Sequence, residues 1–330
     1  KPKTTMTYLE NSKQYTGSDL ENIFFRPMLT GESAQDLGVR VLYNMPQPTH
    51  VQLWDGQRNI LQKFTSAGWA GGKAATKYEK TVNLNRVKAE LGFSAANYFS
   101  MVYEKVSSLV NTHMDDLSGT ELEQAETALF KQALAENIRV TMWIGDTSAA
   151  SGYNTFDGLL KRINGLVDDD GVYNFSYQAA ALEDPAYVVE LFDKLWAGAD
   201  PRIPGLKADD RLAYFVSSDI YRLYEKYLDA KGADAAYADA MNGRRTLAYH
   251  GIPVVDVRLG SYLGATSFRQ SFVMLTDRRN LVLAVNTADM PGNEVRMWYN
   301  PDEMENRQRA VFMAGTQILD EALISFAYKQ

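Results

Sequence analysis

The stretch ELEQAETALFKQALAENIRVTMWI, residues 121–144, constrains the fold of this chain more than any other segment. Its apolar residues recur at three- and four-residue steps, which is the period of an α-helix. They form two stripes, one of Leu122, Ala125, Leu129 and Ala133 and the other of Phe130, Leu134, Ile138 and Met142. A helix of roughly 25 residues at about 1.5 Å per residue is a rod about 37 Å long. The two stripes predict that the rod packs on two sides, with other elements arranged around it.

The segments before this helix cannot form a core of their own. Residues 1–50 are polar, are broken by prolines and carry only short apolar clusters, so we expect an extended arm that lies on another surface. Residues 51–92 predict a long hairpin with a glycine-rich tip, because apolar and polar residues roughly alternate in its return limb. A further helix is expected to begin at Ser94. A projecting two-stranded hairpin is marginally stable alone and needs a neighbour.

After residue 157 the pattern changes to short strands and helices. LAYFV at 212–216 predicts a buried strand, and Ser217 predicts the start of a helix, as Asp184 does earlier in the chain. GRRTLAYHGIPVVDV predicts two strands broken at 251–253, and SFVMLTDRRNLVLAVN predicts a hairpin that turns at 276–280. Strands at 294–299 and 308–315 are expected to return to the long helix. The predicted fold class is therefore α+β.

Composition excludes several classes of function. A chain of 330 residues is long enough for about two domains with filled cores. It contains no cysteine, which excludes disulfides and thiolate chemistry. A net charge of −7 argues against a surface that neutralises phosphates broadly. No segment approaches the ~18 uninterrupted apolar residues that span a bilayer, so we expect no membrane partner.

The stretch WIGDTSAASGYNTFDGLLKRI, residues 143–163, resembles a catalytic loop. A soluble α/β enzyme using Asp146, Ser148 and Asp157 of the 145–157 loop is one hypothesis for it. The other is a joint: Gly145 suits the end of the long helix, and the loop leads into the next part of the fold. We favour the joint.

Other candidate sites are weaker, and for each a structural role is favoured. The glycines at 68–72 lack the spacing and hydroxyl of a phosphate-binding loop, and consecutive carboxylates at 168–170 suit an acidic turn better than a calcium site. Aromatic clusters suit a core or a subunit interface, and Arg278-Arg279 are solvated charges that an acidic neighbour in an assembly could pair. We therefore predict no catalytic residues, no cofactor and no metal site, since the only histidines are His50, His113 and His250.

The order of these elements resembles the major capsid protein of tailed double-stranded-DNA bacteriophages with the HK97 fold. The resemblance covers roughly residues 20–330 and is carried by the long helix running into FDGLL, then LAYFVSSDIYRLYEKYLDAKG, GRRTLAYHGIPVVDV and VFMAGTQI. It implies five parts: an N-terminal arm at 1–50, an E-loop hairpin at 51–92, a peripheral domain with a spine helix at 93–157, an inserted α/β axial domain at 158–285, and peripheral return strands at 286–330.

The resemblance implies a structural protein of the virion and not an enzyme. Such subunits self-assemble in the host bacterial cytoplasm, as pentamers and hexamers of an icosahedral shell that encloses double-stranded DNA without sequence-specific binding. Portal and scaffolding proteins are the implied partners. An encapsulin-type nanocompartment, which shares the fold and packages protein cargo, remains the alternative. Some relatives cross-link a hairpin lysine to a neighbour's asparagine; the hairpin lysines here are Lys63, Lys73, Lys77 and Lys80, and no acceptor is assigned.

Overall fold

The structure of the protein is a computed structural model. It describes residues 13–16, 38–44, 49–54, 77–94, 121–167, 169–231, 247–260, 262–263, 270–286, 294–300, 302–303 and 305–330. The described helices are α1 (Glu121–Ile144), α2 (Leu159–Asn164), α3 (Tyr187–Gly198), α4 (Ile203–Lys207) and α5 (Ser218–Ala230). The described strands are β1 (Lys13–Tyr15), β2 (Arg40–Tyr43), β3 (Thr49–Trp54), β4 (Lys77–Val82), β5 (Asn85–Ser94), β6 (Asn174–Tyr177), β7 (Leu212–Val216), β8 (Leu247–Tyr249), β9 (Ile252–Asp256), β10 (Phe272–Asp277), β11 (Leu281–Asn286), β12 (Glu294–Asn300), β13 (Glu305–Ile318) and β14 (Ile324–Lys329). The mixture of helices with two large sheets confirms the α+β prediction.

The first sheet is built around β13. Its order is β1-β12-β13-β11-β2, and β5 pairs with the opposite edge of β13. Alternate residues of β13 point towards α1, and the buried ones include Ala310, Phe312 and Ala314. At about 3.3 Å per residue, this strand is about 46 Å long. Because β13 runs the length of the sheet, its first and last residues lie far apart in the molecule.

The hairpin predicted over residues 51–92 extends further along the chain than the pair of strands in the structure. The described strands of the hairpin are β3 and β4, which pair over Thr49–Trp54 and Lys77–Val82. The remaining part of the predicted return limb is β5, which leaves the hairpin and pairs with β13. Alternating apolar residues identify a half-buried strand but not its partner, which is why the sequence placed β5 in the hairpin. Ser94 ends β5, and the helix predicted to follow it lies outside the described residues.

The second sheet has the order β6-β14-β10-β7-β9-β8 and is covered on both faces. The position of strand β7, with an apolar cluster on each face, explains why its sequence is continuously apolar. Leu212, Tyr214 and Val216 face a cluster that includes α3 and α5, whereas Ala213 and Phe215 belong to the cluster around α1. A strand buried on both faces needs apolar residues at every position. The predictions of a buried strand at 212–216 and of a helix after Ser217 are confirmed.

The predicted hairpin over 271–286 is wrong. Strand β10 lies in the second sheet and β11 in the first, and a single 3-10 turn, Arg278–Asn280, carries the chain from one to the other. The chain crosses back after β13, because β14 pairs with β10 and β6 of the second sheet. Residues 286–330 therefore divide between both sheets. Two apolar runs flanking a polar turn are the same pattern in a hairpin and in a crossing, so the sequence does not distinguish them.

Two element boundaries also differ from the prediction. Helix α3 begins at Tyr187, and Asp184 acts just before it by accepting a hydrogen bond from the Ala186 N–H at 2.9 Å. The break between β8 and β9 falls at His250 and Gly251, whose φ angles are 49° and 80°. Positive φ at two successive residues is the geometry of a tight hairpin turn, so the strand resumes at Ile252.

Helix α1 connects the two sheets. Its stripe of Phe130, Leu134, Ile138 and Met142 is buried, whereas Leu129 and Ala133 of the second stripe are half-buried. Near its end, the Trp143 ring packs on Phe215 at 5.7 Å and on Phe272 at 6.3 Å, both in the second sheet. Every residue from 138 to 144 is buried. In the described part of the chain, no helix is long and apolar enough to cross a membrane.

Candidate functional site

The turn between α1 and α2 contains the side chains considered for catalysis. Asp146 and Asp157 converge on one cation, because Lys161 Nζ lies 2.7 Å from Asp146 Oδ1 and 2.6 Å from Asp157 Oδ1. Ser148 Oγ donates to Asp146 at 2.5 Å, and Thr147 donates to Asp157 from its hydroxyl at 2.8 Å and from its N–H at 2.9 Å. The polar groups of the loop therefore bind one another and link the two helices.

Two glycines let the backbone close this turn. The Gly158 N–H donates to the Gly145 carbonyl at 2.8 Å. A Cβ on Gly145 would lie 2.2 Å from the Phe156 carbonyl oxygen, and one on Gly158 would lie 2.5 Å from that of Trp143. Neither glycine has a positive φ angle. Gly145 is thus required by the close approach of two backbones and not by the left-handed conformation of a helix cap.

The carboxylates of the joint stay ionised well into the acid range. The hydrogen bond from Lys161, followed by those from Ser148, lowers the pKa of Asp146 to about 2. Burial acts to raise the pKa of Asp157, but Lys161 and Thr147 outweigh it and the pKa is lowered. Lys161 has a raised pKa because it donates to Asp146 and to Asp157. A general acid or base needs a pKa near the working pH, and these shifts run in the opposite direction.

The joint is also tied to the first sheet. Thr316 Oγ1, on β13, donates to the Asp157 carbonyl at 2.5 Å. Asn85 Nδ2, at the start of β5, donates to the Thr155 carbonyl at 3.1 Å. The Asp146 N–H donates to the Tyr153 carbonyl at 2.9 Å, so the loop is closed by its own backbone as well. We interpret the 145–157 segment as a structural joint.

The two histidines that the structure describes, His50 and His250, have separate partners. His50 Nδ1 lies 2.7 Å from Glu79 Oε1 and 3.2 Å from Thr81 Oγ1, across the β3–β4 pair. The His250 ring packs on Tyr249 at 4.4 Å, and His113 lies outside the described residues. Among the residues that the structure describes, no group of three or more histidine, aspartate and glutamate side chains could hold a metal ion.

The other segments singled out from the sequence have structural roles or are not described. Asp169 accepts a hydrogen bond from the Gly171 N–H at 2.8 Å, as expected of an acidic turn, while Asp168 and the glycine-rich segment 68–73 lie outside the described residues. Tyr224 is buried against Phe192, with ring centroids 5.2 Å apart.

Trp298 and Tyr299 lie on opposite faces of the first sheet. The Tyr299 side chain packs against the core, whereas the Trp298 ring lies on the outer face. The guanidinium groups of Arg296 and Arg309 each approach the Trp298 ring at 5.7 Å. Arg309 also forms an ion pair with Glu294 on β12. Where the structure describes it, the outer face of this sheet therefore carries charged side chains around the Trp298 ring.

The base of the hairpin is fixed to the crossing between the sheets. Lys80 Nζ lies 2.5 Å from Glu321 Oε1, and Gln317 Nε2 donates to the Thr81 carbonyl at 2.7 Å. Val82 is fully buried in a small cluster with Ala284 of β11. Of the four hairpin lysines, Lys80 thus has an intramolecular partner; Lys63 and Lys73 lie outside the described residues, as does the side chain of Lys77.

A cleft of about 890 Å³ opens beside this attachment. Its walls come from the hairpin base, from both sheets and from α4, and its charged lining residues are Arg40, Glu79, Lys80, Asp169, Arg202, Arg211, Asp277, Arg279, Asp320 and Glu321. Three of its lining residues, Arg279, Asp169 and Lys80, were singled out from the sequence, each for a different reason. The remaining residues come from distant segments and carry no local motif, so topology alone brings them together.

Comparison with known proteins gives a match in structure but not in sequence. No protein-family model matches the chain, and no curated protein matches it. A chain of the satellite phage P4 procapsid, solved with its size determination (Sid) protein, matches with a TM-score of 0.54 at 10% identity, over 89% of this chain and 96% of that one. A chain of Gordonia phage Cozz matches with a TM-score of 0.50 at 13% identity, over 90% and 86%. The protein therefore has the HK97-like fold of phage capsid subunits.

Proposed function

We propose that this protein is the major capsid protein of a tailed phage or a related prophage. It assembles as pentamers and hexamers into an icosahedral shell around double-stranded DNA. The observation that carries this proposal is the end-to-end agreement with the P4 procapsid chain, which covers 89% of this chain and 96% of the other. Portal and scaffolding proteins are the partners that such a shell requires.

The parts of the subunit are assigned on the same basis. We assign α1 as the spine helix and the first sheet as the peripheral domain, because Phe312 of that sheet shares a core with Phe130 of α1. The second sheet with α3 and α5 is the proposed axial domain, and it includes β14 although the sequence placed that segment elsewhere. The pair β3–β4 is the proposed base of the E-loop. The segment before β2 is the proposed N-terminal arm.

The joint between α1 and α2 supports a structural role over the enzyme hypothesis. Asp146, Ser148 and Asp157 are engaged with each other or with Lys161, and the pKa of each carboxyl is lowered. Replacing all three with alanine should change stability or assembly only. A substrate turned over by the purified protein and lost in this variant would favour the enzyme hypothesis.

Electron microscopy combined with nuclease protection tests the proposed function. Particles purified from producing cells are treated with nuclease, imaged by negative stain, and extracted for nucleic acid and for co-purifying proteins. We expect closed icosahedral shells that protect double-stranded DNA. Shells that contain an enzyme and no genome would identify the encapsulin-type alternative instead. A chain that stays monomeric under all assembly conditions would contradict both.

A further inference from the structure

The cleft beside the hairpin base is lined by five carboxylates and five cationic side chains, and the two sets differ in how far they are paired within the chain. Each of its five carboxylates accepts a hydrogen bond or ion pair from within the chain. The donors are the Arg279 N–H to Asp277, the Gly171 N–H to Asp169, Arg202 to Asp320, Lys80 to Glu321 and His50 to Glu79. The cleft's negative charge is therefore already neutralised or hydrogen-bonded.

The arginines of the cleft differ in whether they form ion pairs within the chain. Arg202 pairs with Asp200 at 3.0 Å and with Asp320 at 2.8 Å, whereas Arg211 pairs with Asp209, at the longer distance of 3.4 Å. The side chains of Arg40 and Arg279 are exposed and have no ion-pair partner in the described part of the chain. Strand pairing places them close together, because Arg40 lies opposite Val282, three residues after Arg279.

The walls that carry these arginines are fixed. Asn280 is buried and joins the two sheet crossings: its Nδ2 donates to the Asp320 carbonyl at 2.8 Å and its Oδ1 accepts from the Asp320 N–H at 2.7 Å. The Arg278 N–H donates to the carbonyl of Arg211 at 2.9 Å, which anchors the turn to the residue just before β7. Arginines on a fixed support bind a carboxylate with little loss of side-chain freedom.

The opposite end of β13 carries the complementary charge. The turn between β12 and β13 exposes Asp302 and Glu303, and Glu305 follows at the start of β13. Arg307 pairs with Glu303 and lies 3.6 Å from Glu305. Arg307 therefore contacts two of the three carboxylates, and the Asp302 side chain has no partner among the described residues. Since β13 ends next to the cleft, the acidic turn and the arginine cleft are separated by about 46 Å along one strand.

We propose that the arginine cleft binds the acidic turn of a second copy of this chain, with Arg40 and Arg279 pairing with Asp302. The two surfaces lie at opposite ends of the same strand, so the contact is head-to-tail and leaves a free cleft and a free turn on every growing assembly. Heterologous contacts of this kind generate rings where the rotation closes and open filaments where it does not, instead of two-fold dimers. The inference rests on the proposed function and adds to it the residues of one subunit contact.

Charge reversal tests the contact. Arg279→Glu and Asp302→Arg are made singly and together in the full chain, and assembly is followed by sedimentation velocity. We expect each single variant to reduce the assembled fraction by about tenfold or more, since like charges in contact repel, and the double variant to regain most of it. Arg222→Glu is the matched control, because Arg222 is exposed on α5, away from the cleft. Circular dichroism and thermal melting check that every variant is folded.

Three results would overturn the contact: single variants that assemble normally, a folded double variant with no recovery, or the same loss in the Arg222 control. Binding of double-stranded DNA that Arg279→Glu abolishes while assembly persists would assign the cleft to phosphate instead. The contact can also be tested independently of the proposed function. If the wild-type chain forms no shells, a mixture of the two single variants must still associate, because the intact turn of one variant meets the intact cleft of the other and the two reversed charges attract each other as well. A mixture that stays monomeric counts against the contact.

Discussion

The backbone N–H of Gly158 donates to the carbonyl oxygen of Gly145 at 2.8 Å, where neither residue has room for a Cβ. This contact lets α1 end and α2 begin within one tightly packed turn. Because α1 spans from the first sheet to the second, the turn sets the direction from which the second sheet approaches the helix. The joint therefore matters for the shape of the subunit and not only for its stability.

Gly158→Ala should be strongly destabilising. Its Cβ would lie 2.5 Å from the Trp143 carbonyl oxygen and 2.6 Å from the Gly145 nitrogen, and backbone atoms cannot move away cheaply. We expect a loss of about 1–3 kcal/mol or more in the free energy of unfolding, measured by urea denaturation. Gly205→Ala in α4 is the control, since nothing lies within 4 Å of the position that a Cβ would take there. That variant should be unchanged or slightly more stable; equal losses in both would contradict the steric explanation.

Acid should weaken the joint only at low pH. The pKa of Asp146 is lowered to about 2 in the folded protein, whereas the pKa of an unfolded aspartate is about 4. The stability that the ionised carboxylate contributes is therefore fully present above pH ~4 and is lost as the pH falls towards 2. Melting temperature is measured against pH for the wild type and Asp146→Asn. The wild type should be more stable above pH ~4, and the two curves should converge near pH ~2. Asp170→Asn, an exposed carboxylate, serves as control; a difference that persists unchanged to pH ~2 would refute the linkage.

Trp143 should contribute through packing alone. Its ring is fully buried against Phe215 and Phe272, while its indole N–H has no hydrogen-bond partner in the described part of the chain. Trp143→Ala should cost about 3–5 kcal/mol of unfolding free energy, because it leaves a cavity between α1 and the second sheet. Trp143→Phe should cost clearly less, since no hydrogen bond is lost. Equal costs for the two variants would indicate a polar role for the indole.

The hairpin base should loosen when Lys80 is replaced. Lys80→Met removes the ion pair with Glu321, which is partly exposed and worth at most about 1 kcal/mol. Amide hydrogen exchange over 77–82 should therefore accelerate by up to about fivefold. Lys88→Met is the matched control, because Lys88 pairs with Glu90 on its own strand. Faster exchange at 77–82 in both variants would show that the effect is not specific to the Glu321 contact.

The sequence predicts elements more reliably than it predicts their partners. The period of α1 and the apolar run of β7 are local properties, and both are confirmed. The partners of β5 and β10 depend on segments more than 200 and about 50 residues away, respectively, and both were misassigned. The residues of the joint indicate a connection between two parts of the fold, but they do not indicate that Lys161 pairs with both Asp146 and Asp157. Nothing local indicates that Arg40 and Arg279 share a cleft, since only the register of β2 with β11 brings them together.

Asn280 has a mechanical consequence. The chain passes from the second sheet to the first at 278–280 and returns at 319–323, and Asn280 links the two passages through three hydrogen bonds, two of its side chain and one of its carbonyl with the Leu319 N–H at 3.0 Å. Two connections that are hydrogen-bonded to each other resist twisting, whereas a single connection allows rotation about itself. A load applied to either sheet is therefore passed to the other without a hinge at this point. Bending of the subunit must then come from segments outside this pair of crossings.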